Sequence, residues 1–189
     1  MERKGKMRGF GLKTLLGFIL REEGQEGFEK LKNAMKELGC SIDFENIKIL
    51  DFYPFNWHII TFVVIEKLFN YDNKKFQELG AFSVKNPFMS RRFFMKTIRA
   101  FSFELRNEET QKIWKKVFDI GIIKIAEIGP DKKSMILEIE NFDSHPFFCQ
   151  ALTGVFLAGS KMLMGLDTFC EEIECENRGG NHHRFLIKW

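Results

Sequence analysis

The sequence predicts an α+β fold, in which a helical N-terminal half precedes a β-β-α-β-β unit with an antiparallel sheet. In the first half, apolar residues recur with the spacing of one helix face. In the second half, the segments 122–128, 134–140, 167–175 and 183–189 have strand-like patterns, and a helical pattern over 146–164 separates the two pairs. Helices and strands that are segregated along the chain in this way are typical of α+β proteins.

The chain has 189 residues, 44% of them hydrophobic, and a formal net charge of +3. This length suits one domain that buries its own core, and the composition excludes a disordered protein. We expect residues 1–49 to form a basic arm and helical lead, and residues 50–189 to form the main domain, which makes one unit with the lead. The 22 phenylalanines, against two tyrosines, predict an aromatic core, pocket or interface.

The helical lead is predicted from two apolar faces. Gly24 and Gly27 are expected to separate two helices, and Gly39 is expected to end the second. The apolar positions of the first helix are Leu12, Leu15, Leu16 and Ile19, and those of the second are Phe28, Leu31, Met35 and Leu38.

Two more helices are predicted in the first half. Residues 57–69 are apolar nearly all round, which indicates a buried helix, with Asn56 as its N-cap. Residues 82–101 are expected to be helical for the most part after Pro87. The basic residues of this segment (Arg91, Arg92, Lys96 and Arg99) are interpreted as a solvated face, because a net charge of +3 does not indicate a nucleic-acid-binding protein.

In the second half, the boundaries of the predicted helices and strands are more distinct. A helix is predicted over 108–118, capped by Asn107 and ended by Gly121, and turn residues at 129–131 join the first two strands. Pro146 suits the first turn of the next helix, and Gly165 its end. Gly154 within that helix indicates close backbone packing. In the last strand, alternation places His183, Phe185 and Ile187 on one face.

Several classes of function are excluded by missing patterns. The longest apolar run, 59–65, is far shorter than the roughly 20 residues that span a bilayer, so we expect a cytoplasmic protein without a membrane span. The sequence contains no nucleotide-binding glycine motif, no serine-hydrolase elbow and no zinc-protease motif. We therefore predict that the chain is not an enzyme and binds no nucleotide.

Four residues near the C-terminus have the chemistry of a zinc site: Cys149, Glu172, Cys175 and His183. Two thiolates and an imidazole favour zinc, and four filled positions would make the site structural. Cys170 and His182 are competing ligands, and two buried cysteines without a metal are a further alternative. Because Cys170 and Glu172 share a strand face that Cys175 does not, the four-residue set requires a bulge or a strand end near Cys175.

These residues resemble a known family. A helix cysteine (Cys149), then Glu172-x-x-Cys175, a loop with Gly179-Gly180 and His183-Arg184-Phe185 look like the 4-vinyl-reductase-type small-molecule-binding domain. That family belongs to the superfamily of ligand-binding domains of nitric-oxide signalling and Golgi transport. The resemblance implies zinc at Cys149, Glu172, Cys175 and His183, although His183 replaces the family's last cysteine. It covers 145–189 specifically and 50–145 loosely.

The resemblance also sets expectations for ligand and role. The haem-binding branch carries a Y-x-S-x-R motif, whereas residues 101–106 (FSFELR) lack the tyrosine, so no haem is expected. The expected ligand is a small hydrophobic molecule of aromatic, acyl or tetrapyrrole-like type, bound by a sensor or carrier that acts as a homodimer or with a signalling partner protein. The alternatives are an interaction scaffold of the same fold and a tetrapyrrole vinyl reductase-like enzyme. His58, next to Trp57, could grip a phenolic or carboxylate ligand or be an ordinary core residue.

Overall fold

The N-terminal half consists of helices that pack beside a short two-stranded ribbon. The computed structural model describes residues 5–40, 42–85 and 107–189. The ribbon pairs β1 and β2 antiparallel, with Met7 opposite Tyr53. The elements of this half are β1 (Lys6–Arg8), α1 (Phe10–Glu37), β2 (Phe52–Pro54), α2 (Phe55–Phe69) and α3 (Asn73–Lys85).

The C-terminal half contains a four-stranded antiparallel sheet in the order β3-β4-β6-β5. The helix between β4 and β5 packs against α3 and the sheet. The predicted α+β fold with its β-β-α-β-β unit is therefore confirmed. The elements are α4 (Asn107–Trp114), β3 (Ile122–Ile128), β4 (Ser134–Glu140), α5 (Pro146–Met164), β5 (Phe169–Glu174), a 3-10 turn (Glu176–Arg178) and β6 (His183–Lys188).

The two lead helices that the sequence predicts are confirmed: α1 consists of two helices joined across a kink at Gly24 (φ 67°, ψ −168°). The helix boundaries of the first half differ from the prediction in two other places. Helix α2 begins at Phe55 behind Pro54, so Asn56 is not its N-cap. Helix α3 was missed over most of its length, and the remainder of the predicted helix over 82–101, with its basic residues, lies outside the described residues together with the segment 101–106.

Helix α4 is shorter than predicted because the chain after it is held by side chains. The indole Nε1 of Trp114, the last residue of α4, donates to the carbonyl of Ile120 at 2.7 Å. Asn107 does not cap α4, since its Oδ1 accepts from the backbone N–H of Ile125 at 2.8 Å. These bonds fix α4 against β3.

Close approach of backbones joins α3 and α5. A Cβ on Gly154 would overlap the carbonyl of Gln77, and one on Gly80 would overlap the carbonyl of Ala151. The side chains of Gln77 and Gln150 hydrogen-bond across the same contact at 2.8 Å. The close packing predicted from Gly154 is thus confirmed, and it sets how near α5 lies to the helical half.

Phenylalanine rings fill the space between the helices and the sheet. Phe55, which is fully buried, contacts Phe148 in a T-shaped arrangement with 5.0 Å between ring centroids, and it also contacts Phe118 and Phe142. Such arrangements suit the quadrupoles of the rings. Much of the phenylalanine excess is therefore core.

Helix α5 is long and apolar enough to cross a membrane by length and composition alone. It packs instead against α3 and the sheet, with Cys149, Leu152 and Phe156 buried. Its composition is that of a core helix.

Candidate metal centre and apolar cavity

The four residues predicted as metal ligands come together in the structure. One ligand atom from each of Cys149, Glu172, Cys175 and His183 lies within 4.8 Å of the others. The side chains of Glu172 and His183 are 3% and 1% exposed. Cys149 is in the first turns of α5, and Cys175 and His183 flank the loop between β5 and β6.

A β-bulge makes this convergence possible. In the pairing of β5 with β6, Glu172 lies opposite Phe185 and Glu174 lies opposite Arg184, with a register shift between them. A bulge inserts one residue and so reverses the facing of the chain beyond it. The strand then ends at Glu174. The sequence required a bulge or a strand end near Cys175, and the structure has both.

The imidazole of His183 faces the cluster through Nδ1. This atom lies 3.4 Å from Sγ of Cys149 and 3.3 Å from Oε1 of Glu172. On the other side of the ring, Nε2 lies 3.1 Å from the carbonyl oxygen of Phe142. When Nε2–H donates to that carbonyl, Nδ1 is left with its lone pair directed at the cluster, which is the arrangement of a metal-ligating histidine.

Polar side chains orient the other ligand atoms. Arg178 Nη2 donates to Oε2 of Glu172 at 2.9 Å, which leaves Oε1 directed at His183. The Ser144 hydroxyl lies 3.2 Å from Sγ of Cys149. Asn177 Nδ2 lies 3.8 Å and 3.9 Å from the sulfurs of Cys149 and Cys175. The sulfurs therefore have hydrogen-bond donors around them that suit thiolates.

The two thiols titrate as a pair. A hydrogen bond from Cys149 lowers the pKa of Cys175 to about 6, and the same contact together with burial raises the pKa of Cys149. Burial opposes protonation of His183, but the hydrogen bond to Glu172 and the charge of Cys175 raise its pKa on balance. The Cys175 thiolate therefore forms readily, and the negative charge of the cluster favours a positive charge beside it.

The competing ligands lie elsewhere. Cys170 packs in the hydrophobic core, where burial raises its pKa to about 12. His182 lies near Glu138 and Glu140, and both carboxylates already pair with the Lys124 ammonium group. The geometry thus groups His183, and not His182 or Cys170, with the two thiols.

An apolar cavity of about 150 Å³ lies between the helices and the sheet. Its walls come from α1, α2, α3, α4 and α5 and from strands of the sheet. Residues that line it include Phe10, Phe62, Trp114, Phe118, Leu152 and Ile187. Trp57 is not among these residues and contacts Tyr53 instead, with 6.1 Å between ring centroids. A cavity of this volume with apolar walls is large enough for a single benzene ring.

Five polar side chains also line this cavity: Thr14, His58, Ser83, Thr110 and Ser160. The sequence had marked His58 as a possible ligand contact. The two threonines were missed, because a threonine on a helix carries no signal for facing a cavity.

Comparison with known proteins identifies the fold. No protein-family model matches the sequence, and no curated protein matches it. A solved H-NOX protein from S. oneidensis in the Fe(II)NO ligation state superposes with a TM-score of 0.69 at 12% identity, covering 96% of this chain and 98% of that one. An oxygen-binding H-NOX domain related to soluble guanylate cyclases gives a TM-score of 0.62 at 16% identity, covering 96% and 94%. This chain has the H-NOX fold.

The fold neighbours correct one prediction. A third solved structure, from work on haem redox potential and porphyrin distortion, gives a TM-score of 0.59 at 16% identity and covers 97% of this chain and 100% of that one. The expectation that excluded haem was therefore wrong, because it was drawn from the missing motif at 101–106 while this fold serves haem proteins.

The residues of the cavity fit haem only in part. His58 offers an imidazole nitrogen, the kind of atom that ligates haem iron. The space does not fit, since about 150 Å³ accommodates one ring whereas a porphyrin contains four pyrrole rings. No step is assigned to haem in this conformation.

Proposed function

We propose that this chain is a sensory or carrier domain that binds a small hydrophobic molecule in its apolar cavity. The observation that carries the proposal is the cavity itself, whose walls are aromatic and aliphatic side chains of the core. Concave apolar sites with a few polar groups are the usual form of small-molecule sites. The descriptions of the fold neighbours as gas- and haem-binding domains support a ligand-binding role for the same fold.

We also propose that Cys149, Glu172, Cys175 and His183 bind zinc. Two sulfurs, one imidazole nitrogen and one carboxylate oxygen form a donor set that favours zinc over magnesium or calcium. With four protein ligands the ion has no open position for catalysis, so its role is structural. The ion would tie the β5–β6 hairpin to α5.

The two proposed sites share structural elements. Helix α5 carries Cys149 and two residues of the cavity wall, Leu152 about one turn further and Phe156 about two turns further. Strand β6 begins at His183 and contributes Ile187 to the cavity. A metal at the cluster would therefore connect α5 to β6, and both of these elements line the cavity. A ligand that moves α5 would also move the β5–β6 hairpin. This link supports a role in which ligand binding changes the protein surface.

The finer family assignment follows from the same site. The E-x-x-C and His183-Arg184-Phe185 segments support a 4-vinyl-reductase-type domain within this fold. We propose that it acts in the cytoplasm as a homodimer or with a signalling partner protein. The scaffold alternative has less support, because it gives no reason for an apolar cavity in the core. The reductase-like alternative has less support because the cavity does not accommodate a tetrapyrrole.

Native mass spectrometry of the purified protein tests both proposals. We expect one zinc ion per chain and either a retained small molecule or the uptake of one added toluene. Loss of the metal in the Cys175→Ser variant, with toluene still bound, would assign each species to its site. A protein that carries no transition metal and takes up neither toluene nor a native ligand would contradict the proposed function.

A further inference from the structure

Three buried polar atoms in the cavity have no hydrogen-bond partner among the residues that the structure describes. They are Oγ1 of Thr14, Nε2 of His58 and Oγ1 of Thr110, and each of the three residues is only 1% exposed. They come from three different helices, α1, α2 and α4, and all three residues line the same cavity. An unpaired buried polar atom costs about 1–3 kcal/mol, so three in one apolar cavity indicate that a ligand supplies their partners.

The environment of His58 defines what that ligand must offer. Burial lowers the pKa of His58 to about 4, so the ring is neutral near pH 7. Nδ1 lies 3.4 Å from the carbonyl oxygen of Pro54, and the Arg8 carbonyl is also near the ring. With its proton on Nδ1, directed at Pro54, the ring presents Nε2 to the cavity as an acceptor.

The space beside Nε2 is kept open by a glycine. A Cβ on Gly11 would lie 3.2 Å from Nε2 of His58 and would also crowd Met7. Alanine is a better helix former than glycine, and Gly11 lies within α1. The glycine therefore leaves room for an atom in hydrogen-bond range of His58.

We propose that the cavity selects a small neutral molecule with a hydroxyl group, which donates to Nε2 of His58 and accepts from Thr14 or Thr110. This inference rests on the proposed function and adds the ligand class. Lysine and arginine are absent from the described residues that line the cavity, so a carboxylate would be buried without a partner charge. The volume of about 150 Å³ restricts the body of the ligand to about one six-membered ring.

Three probes of similar size separate these features: cyclohexanol, methylcyclohexane and cyclohexanecarboxylate, each titrated into the full chain by calorimetry at pH 7.5. We expect cyclohexanol to bind about tenfold or more tightly than methylcyclohexane, because only the alcohol satisfies the unpaired atoms. Cyclohexanecarboxylate should bind more weakly than either.

Variants test the individual atoms. His58→Phe and Thr14→Val should each reduce the preference for cyclohexanol over methylcyclohexane, and Gly11→Ala should weaken cyclohexanol by filling the space beside Nε2. Thr61→Val is the matched control, because the Thr61 hydroxyl donates to the carbonyl of Trp57 and does not line the cavity. It should leave the preference unchanged.

The outcomes distinguish the inference from the function on which it rests. Equal binding of cyclohexanol and methylcyclohexane, or tighter binding of the carboxylate, would overturn the hydroxyl selectivity and leave a small-molecule domain. The same holds if His58→Phe and Thr14→Val both keep the wild-type preference. Failure of all three probes and of toluene to bind would overturn both.

Discussion

The Sγ atom of Cys149 lies 3.4 Å from Nδ1 of His183, although 34 residues separate them in the sequence. The contact exists only because β6 returns beside β4 and places its first residue against the start of α5. A metal ion between these atoms would therefore stabilise the closed tertiary arrangement and not a local turn. Binding free energy at such a site adds to folding free energy, since the unfolded chain has no preformed site.

The first prediction concerns a single thiolate. Cys175→Ser should abolish stoichiometric zinc and lower the midpoint of thermal unfolding, because the proposed site loses one of its four ligands. Elemental analysis and thermal unfolding, each with and without a chelator, provide the measurement. Chelator should lower the midpoint of the wild-type protein but have little effect on the variant.

Cys170→Ala and Cys40→Ser are the controls for that experiment. Cys170 is buried and precedes Cys175 by only five residues, yet it lies outside the cluster. Its substitution should reduce stability through lost packing and leave one metal per chain. Metal loss in Cys170→Ala with retention in Cys175→Ser would mean that the wrong thiol was assigned.

The second prediction concerns the residues around the ligands. Asn177→Ala removes an amide that lies 3.8–3.9 Å from both sulfurs, and Ser144→Ala removes a hydroxyl 3.2 Å from Cys149 Sγ. Each should weaken zinc about 10- to 100-fold without changing its stoichiometry, as substitutions of outer-shell partners do. Competition with a chromophoric chelator measures this. A surface control is Lys30→Ala, which removes an exposed ion pair with Glu26 and should leave the affinity unchanged.

The candidate metal centre was predictable because the residue types themselves specify which donor atoms a metal could bind. Cysteine and histidine are few in this chain, with four of each. Strand parity required a bulge or a strand end near Cys175, and the structure has a bulge between Glu172 and Glu174. The choice between His182 and His183 was not available from spacing. It depends on which residue begins β6 on the buried face, and therefore on the register with β4.

The cavity and several helix ends were less predictable for a physical reason. Thr14 and Thr110 face the cavity because of how α1 and α4 are rotated in the tertiary packing, which no local pattern specifies. Helix α4 ends at Trp114, which donates to Ile120, and Asn107 at the start of the helix accepts from Ile125 instead of capping the helix. Both bonds replace the local capping that the sequence indicated, so tertiary contacts override local preference at these positions.

The third prediction tests the contact between α3 and α5. Gly154→Ala should destabilise the protein by about 3 kcal/mol or more, the upper end of the usual cost of overpacking. The new Cβ would overlap the carbonyl of Gln77, which is backbone and cannot rotate away. Gly24→Ala is the comparison. A Cβ there meets nothing within 4 Å, so only the strain of a backbone conformation that glycine alone adopts readily (φ 67°, ψ −168°) remains, about 1–3 kcal/mol.

Urea unfolding of both glycine variants gives the two free energies. If Gly154→Ala costs no more than Gly24→Ala, the two helices are not in backbone contact. In that case α5 would be free to shift relative to α3, and the spacing that shapes the cavity would have another cause.

The fourth prediction is a pH dependence that comes from His58. Burial lowers the pKa of His58 from 6.5 to about 4, so the unfolded chain binds a proton at this residue over a pH range in which the folded chain does not. The free energy of unfolding that depends on the neutral ring is therefore fully present above pH 6.5. It is lost progressively as the pH falls towards 4, by up to about 3 kcal/mol.

Other acidic groups titrate in part of this range, so the informative quantity is the difference between the wild type and His58→Phe. Urea unfolding at intervals between pH 7.5 and 4.5 should show the wild type losing more free energy than the variant, with the gap opening below pH 6.5. Parallel curves would show that His58 takes up a proton in the folded state, and its Nε2 would then be a donor to the cavity instead of an acceptor.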